Sequence, residues 1–427
     1  MISGKYKDDL FELEQIAHGQ GDQINLSIIL ITIKPKDDEL QDILNYFEEN
    51  NIKITSSDIE PDPIVESNDN VDNNIKPFDP SKIDIKMDKM TIDSIIKRIT
   101  YGELEFDSEF QRKSGLWKVV QKSQLIESIL LRIPLPAFYF DATNDDKWLI
   151  IDGLQRISTL KEFVVDRSFA LKGMEFLKEL EGLKFDRLPR SLQRRIEETN
   201  VNAYLVNPAT PTNVKYNIFK RINTGGLVLE PQEIRNALYQ GQAAKFIKEL
   251  ANLQEFVQAT DYSIKTDRML DREFCLRYVA FTCLSIDSYN NSIEEYLNAA
   301  MEFLNNVNEN RLNEIKKDFV RSMEACKLIF GRYAFRKMAI DGRKRPINKA
   351  LFEIWSYITY TLTDNKIEHL LKNKNMLIND FIKLCENDYF LNVLKASDKK
   401  SIQTRITTVR KIVDEIVDEI VDGSDKQ

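Results

Sequence analysis

The sequence predicts an α+β protein: a core of helices mixed with short strands, a mostly helical C-terminal domain and a small, acidic, mainly helical N-terminal domain. Three observations predict it. Between residues 82 and 240, short β-prone runs interrupt amphipathic helical patterns. Beyond 241 almost every window carries helical periodicity. Residues 1–60 read as helix, apolar segment, helix and extended end, a length near the lower limit for a core of its own. At 427 residues the whole chain is too long for one comfortable core, so several domains are expected.

Residues 5–18 place Leu10, Leu13, Ile16 and Ala17 at helical spacing, and the isoleucine-rich run 24–33 reads as a strand. Residues 37–50 read as a helix with Leu40, Ile43, Leu44 and Phe47 on one face and acids in its first turn. IKITSSDIE is short and β-prone. Residues 61–81 are rich in Pro, Asn and Asp, a composition that cannot support packing, so they read as a flexible linker. From 82 to 240 the first helix is MTIDSIIKRITYGEL, with Ile92, Ile95, Ile96 and Ile99 stacked, and the second is 117–132. Pro134 and Pro136 then force an extended segment into AFYFDA, a strand. WLIID (148–152) is a second strand, GLQRISTLKEFV turns into a helix, VNAYLV (201–206) is a third strand, and Thr212 is the expected N-cap of a further helix. In 241–427, FCLRYVAFTCLSI and NKALFEIWSYITYTL are long apolar helices, and IVDEIVDEIVDG repeats every four residues, so its isoleucines and valines form one stripe.

The formal net charge of −8 is unevenly spread: residues 1–80 hold 6 basic and 18 acidic side chains, a balance of −12, which leaves +4 for the rest. The acidic head has three readings: a solvated face, a docking surface for a basic partner, or a mimic of nucleic-acid charge. No apolar run approaches the roughly 18 residues of a membrane span, and the charged N-terminus lacks a signal core. Four cysteines, widely spaced and without a CxxC pair, argue against a disulfide scaffold or zinc ribbon and for a reducing cytoplasm. Two histidines, His18 and His369, are too few for most imidazole-dependent metal and nuclease sites.

Three blocks carry chemistry. In FDSEFQRKSGLWKVV, Arg112 precedes a Gly-containing turn, and a guanidinium there suits phosphate oxygens or an ordinary surface ion pair. In WLIIDGLQRISTL, a strand ends at Asp152, Gly153 permits a tight turn, and Gln155 and Arg156 open a helix whose first N–H groups welcome an anion. Asp152 could there hold a metal ion or orient water, and Ser158 and Thr159 could cap or touch a ligand; the alternative is a capped junction with an Asp–Arg ion pair. In FKRINTGGLVLEPQEIRNALYQG, Arg221, Asn223 and Thr224 precede a Gly-Gly loop, and Glu233, Arg235 and Asn236 follow on a helix; such a loop is also ordinary helix capping. A separate basic cluster, 332–349, includes Arg336, Lys337, Arg343, Lys344 and Arg345 against one acid, Asp341, and reads as a nucleic-acid contact or a solvated loop.

Taken in order, the three blocks resemble the DGQQR-motif family, typified by the N-terminal domain of GmrSD-type restriction endonucleases. Phe110 to Pro136 match its first block. Asp152-Gly153-Leu154-Gln155-Arg156 match the DGQQR block with Leu154 in place of a Gln. Phe219 to Gly226 and Glu233 to Ala237 match the third. The resemblance implies a ParB/sulfiredoxin-like core over 82–240 that binds and hydrolyses nucleoside triphosphates, with Mg2+, in defence against phage DNA. It implies catalytic roles for Asp152, Gln155 and Arg156, with Arg112, Gly153, Arg221, Asn223 and Thr224 lining the nucleotide pocket. Leu154 removes one polar contact and puts turnover in question. Family members often continue into an HNH nuclease, for which this chain offers no histidine pair, so a separate nuclease subunit is expected beside DNA. The helix DDELQDILNYFEENNIKI resembles the N-terminal self-inhibitory region of primary sigma factors, which implies RNA polymerase as a partner for residues 1–60. The competing expectation is a non-enzymatic, ParB-like DNA-binding or regulatory adaptor. Homo-oligomerisation is open.

Overall fold

The structure is a computed structural model that describes residues 83–105, 117–222, 229–266 and 268–418, with 23–25, 50, 52–55, 65–66 and positions 6, 10, 13–14, 43 and 46–47. The chain divides into two compact units, Met1–Ile64 and Val65–Gln427.

In the first unit, β1 (Gln23–Asn25) pairs in parallel with β2 (Lys53–Thr55). Parallel neighbours require a crossover, and the helical positions Ile43, Tyr46 and Phe47 lie in that connection. Leu10, Leu13, Ile43 and Phe47, members of the two expected helical faces, are buried, and so is Ile52 from the β-prone run that follows. The rings of Tyr46 and Phe47 meet edge to face with centroids 5.6 Å apart. Ile16, Ala17, Leu40, Leu44 and most of the 24–33 run lie outside the described residues.

The second unit opens with β3 (Val65–Glu66), which pairs in parallel with β9 (Ile347–Asn348). This short pairing falls inside the stretch read as a linker. Two residues need only backbone hydrogen bonds to pair, which composition does not reveal. The main sheet has five strands in the order β4-β8-β6-β7-β5: β4 (Ile85–Thr91), β5 (Leu104–Glu105), β6 (Phe138–Asp141), β7 (Trp148–Asp152) and β8 (Asn200–Val206). β6 runs parallel to β8 and antiparallel to β7. Side chains alternate across the sheet. Phe138, Phe140, Trp148 and Ala203 face a layer formed by α1 (Ile92–Thr100), α2 (Val119–Leu130), α3 (Leu154–Leu160) and α4 (Arg190–Glu197). Leu149, Ile151 and Val206 face the opposite layer, α5 (Thr212–Ile222) and α6 (Pro231–Leu238). The core is thus helix, sheet, helix.

Local chemistry explains the boundaries. Met90 and Thr91 finish β4 rather than start α1, and the Thr91 hydroxyl accepts from the Ser94 N–H at 3.2 Å, so one residue ends a strand and caps a helix. α5 begins at Thr212 itself, and the Pro211 carbonyl accepts from Val214 and Lys215.

Residues 239–416 bury one large helical core. Trp355 packs against Phe330 and Phe381, with ring centroids 4.5 and 5.2 Å apart. In the last helix, Lys399–Asp418, the buried stripe is Ile402, Ile406, Val409, Val413 and Ile416, at alternating spacings of four and three. The fold is therefore of the predicted class, helices mixed with strands followed by a mostly helical region, and the sheet adds β4 and β5 to the three strands read from the sequence. Among the described residues no helix is long and apolar enough to cross a membrane.

Candidate functional site

The second motif block forms a strand–turn–helix. β7 ends at Asp152, Gly153 is the N-cap of α3, and its φ of +100° belongs to the left-handed region where an L side chain is strained. A Cβ built at Gly153 would approach Phe138 Cδ1 to 2.5 Å. The glycine is therefore demanded by the backbone and by the Phe138 ring beneath it.

Arg156 turns inward. It is 9% exposed, and its guanidinium donates to the carbonyl oxygens of Pro136 and of Ala137 (3.1 Å) and to Asp152 Oδ2 at 2.7 Å. It also lies 4.4 Å over the Phe138 ring. Burial pulls its pKa below the ordinary guanidinium value, and Asp152 opposes that shift. The Asp–Arg ion pair named as the alternative is thus present, and it fastens the 134–137 segment to the turn. About a third of the Asp152 side chain stays exposed. Gln155 is half-buried. Ser158 and Thr159 are buried within α3, and Thr159 donates to the Gln155 carbonyl at 2.7 Å, so neither caps the turn. Leu154 packs on the apolar cluster of Leu149, Ile151, Val206 and Tyr216, which accounts for an apolar residue where the motif has an amide.

Arg221 stands exposed on the last turn of α5. Arg112, Asn223 and Thr224 lie outside the described residues.

The helix of the third block is anchored in the interior. Glu233, Arg235 and Asn236 are 0%, 1% and 7% exposed. Glu233 accepts from the Glu230 N–H at 2.8 Å, closing a capping box, and from Arg268 at 3.1 Å. Arg235 donates to Gln232 at 2.9 Å, to the Tyr216 hydroxyl at 3.4 Å and to Glu294. Asn236 accepts from Arg272 at 3.2 Å. Arg268, Arg272 and Glu294 come from the following helical region, so the polar half of the block joins the sheet core to the helices. The network continues inward: Arg277 bridges Glu273 (2.8 Å) and Glu353, Lys349 meets Glu273 at 2.8 Å, and Arg405 meets Glu353. Sequence reading missed these partners, and the only local sign of them is a run of charges in otherwise apolar helices.

In the basic loop, Arg336 is 3% exposed and spends its donors on Arg332 O, Arg345 O and Ser263 Oγ at 3.2, 2.6 and 2.7 Å. It braces the loop from inside. Arg345 pairs with Asp341 at 2.8 Å, Arg343 lies 3.8 Å from the same carboxylate, and Lys344 pairs with Asp261. Lys337 is half-buried. The fold thus brings a second acid, Asp261, against a cluster that the sequence shows with one.

The class defined by this geometry is an α/β core that presents an Asp-Gly-x-x-Arg strand–helix turn and is locked to a helical extension by buried ion pairs. Compared with known families, residues 92–240 match the family model described as GmrSD restriction endonuclease, N-terminal domain, and the match spans the strand–helix turn and the third block. No match is found among curated proteins, and none among solved structures.

Proposed function

We propose that this protein is a nucleotide-binding, NTP-hydrolysing component of a restriction or phage-defence system acting on DNA, with strand cleavage supplied by a separate chain. The observation that carries this reading is the family match over 92–240, which encloses Asp152-Gly153-Leu154-Gln155-Arg156 at the end of β7. The donor set is compatible with a triphosphate and Mg2+. The partly exposed Asp152 carboxylate is the oxygen ligand such an ion takes, and Arg221 is an exposed cation that opens the third block. Bound Mg2+ would neutralise phosphate charge. Within the chain, Arg156 positions Asp152 rather than reaching outward, so phosphate contact falls to Arg221 together with Arg112, Gly153, Gln155, Asn223 and Thr224. Leu154 supplies no hydrogen bond, and the reading expects nucleotide binding to be retained more fully than turnover.

The test is nucleotide binding and phosphate release by the full chain, with and without DNA, for wild type and Leu154→Gln. Binding by wild type, with faster release in the variant, supports the reading; absence of binding to every nucleoside triphosphate by both proteins sinks it. The packing of Leu154 into the apolar cluster favours one second reading, a DNA-binding adaptor that does not hydrolyse nucleotide. DNA binding without phosphate release in either protein would select that reading.

A further inference from the structure

A cleft of about 670 Å³ lies between α2 and α4, lined by the C-terminal end of the first motif block and by α4, away from the second and third blocks. Arg132, Arg194 and Arg195 line it against a single carboxylate, Glu198. None of the three arginines forms an ion pair among the described residues, and all three are exposed. Arg195 is steadied by a 3.1 Å hydrogen bond to the Leu130 carbonyl. Ile133, half exposed, supplies an apolar wall.

Arg132 is held there by its backbone. It follows the C-cap of α2 with φ +61°, and the next N–H, of Ile133, reaches back to the Ser128 carbonyl at 2.9 Å. Glycine is the usual occupant of that left-handed position, and an arginine there is strained. From that position the Arg132 side chain lines the cleft. Its position in the sheet adds meaning. β6 and β8 run parallel, β7 runs against them, and β8 starts beside the cleft at Asn200. The cleft therefore opens at the end of the sheet where β7 finishes in Asp152. The segment that lines it continues directly into Pro136 and Ala137, whose carbonyls hold Arg156.

An excess of cations, an open shape and a volume far above that of one phosphate suit a polymer carrying several phosphates. We infer that this cleft seats the phosphodiester backbone of duplex DNA. The inference rests on the DNA-acting part of the proposed function and assigns that contact to Arg132, Arg194 and Arg195 rather than to the basic loop at 336–345.

The test titrates the full chain against a fluorescent duplex of about 30 base pairs from about 50 to about 200 mM salt, with ATP binding measured in parallel. Arg132→Gly removes the guanidinium while suiting the backbone, so its thermal midpoint should not fall. Arg132→Gly/Arg194→Gln is expected to weaken duplex binding about tenfold and to reduce the salt slope by about 2, leaving ATP binding intact. Wild-type duplex affinity and slope in that double variant would overturn the inference alone. So would a loss confined to Arg343→Gln/Lys344→Gln, or loss of ATP rather than duplex binding in the Arg132 variants, which would mark a site for free anions. No duplex binding by wild type would overturn the inference and the DNA part of the function together, while the ATP measurement still reads the nucleotide part.

Discussion

The Arg156 guanidinium meets the Asp152 carboxylate at 2.7 Å and in the same reach holds the backbone oxygens of Pro136 and Ala137. One planar side chain thereby joins the end of β7, the first turn of α3 and the segment entering β6. Its fork geometry matters, because a single ammonium cannot span acceptors on two sides. Arg156→Ala should destabilise the protein by about 3 kcal/mol, at the low end for a broken buried pair because Asp152 is partly solvated. Arg156→Lys should recover less than half of that. Urea unfolding monitored by circular dichroism measures both, and an unchanged midpoint would mean that the guanidinium is available to a ligand instead.

Gly153 and Phe138 are coupled sterically. Gly153→Ala puts a Cβ 2.5 Å from the ring and keeps a φ of +100°, so a loss of roughly 2 to 3 kcal/mol is expected. Phe138→Leu would remove the contact but not the dihedral cost. A double-mutant cycle should therefore show the pair to be non-additive by about 1 kcal/mol, and strict additivity would refute the steric account.

Arg235, fully buried, ties α6 to the helical region through Glu294, whose side chain is 19% exposed. Burial acts to lower the Arg235 pKa, yet Glu294, Tyr216 and Glu273 together outweigh it and the net shift is upward. Arg235→Ala leaves the Glu294 carboxylate without its cation, held only by the Tyr216 hydroxyl that donates to it, and should cost about 3 kcal/mol. Amide exchange should rise first in α6 and around Glu294. Exchange that rises evenly through the chain would contradict a local tether.

Glu273 sets an acid limb. Burial pushes its carboxyl upward, but Arg277, Lys349 and Arg235 together hold it well below the carboxylate range. Its folded pKa therefore lies under the unfolded value of about 4.3. The stability it contributes is fully present above that value and disappears as pH falls through the folded pKa. Unfolding free energy should thus decline below about pH 4.3, and Glu273→Gln should flatten that decline while costing about 3 kcal/mol near neutrality. An acid limb of the same slope in the variant would place the titration elsewhere.

Much of the fold was legible because its signals are local. WLIID is β7 residue for residue, and the proline pair before AFYFDA does deliver an extended entry to β6. β4 was not legible: Lys86, Met87, Asp88 and Lys89 are all exposed on an edge strand, so no period-two apolar pattern marks it. At the site, the order Asp-Gly-x-x-Arg already implied a strand–turn–helix with the two charges one helical turn apart. It did not reveal that Arg156 would face Pro136 and Ala137, because those acceptors are backbone atoms and carry no sequence identity.

The sequence by itself determined where most of the helices and the strands β6, β7 and β8 form, which glycine the β7–α3 turn requires, and the family to which residues 92–240 are similar. These follow from side-chain size, periodicity and dihedral limits, all of which act within a few residues. Only the tertiary structure decided which charges have partners. Arg235 finds Glu294 across 59 positions, Arg277 finds Glu353 across 76, and Arg132 comes to line one cleft with Arg194 and Arg195. Coulomb and hydrogen-bond energies depend on distance in space and on local burial, and the chain sets both only when its layers close.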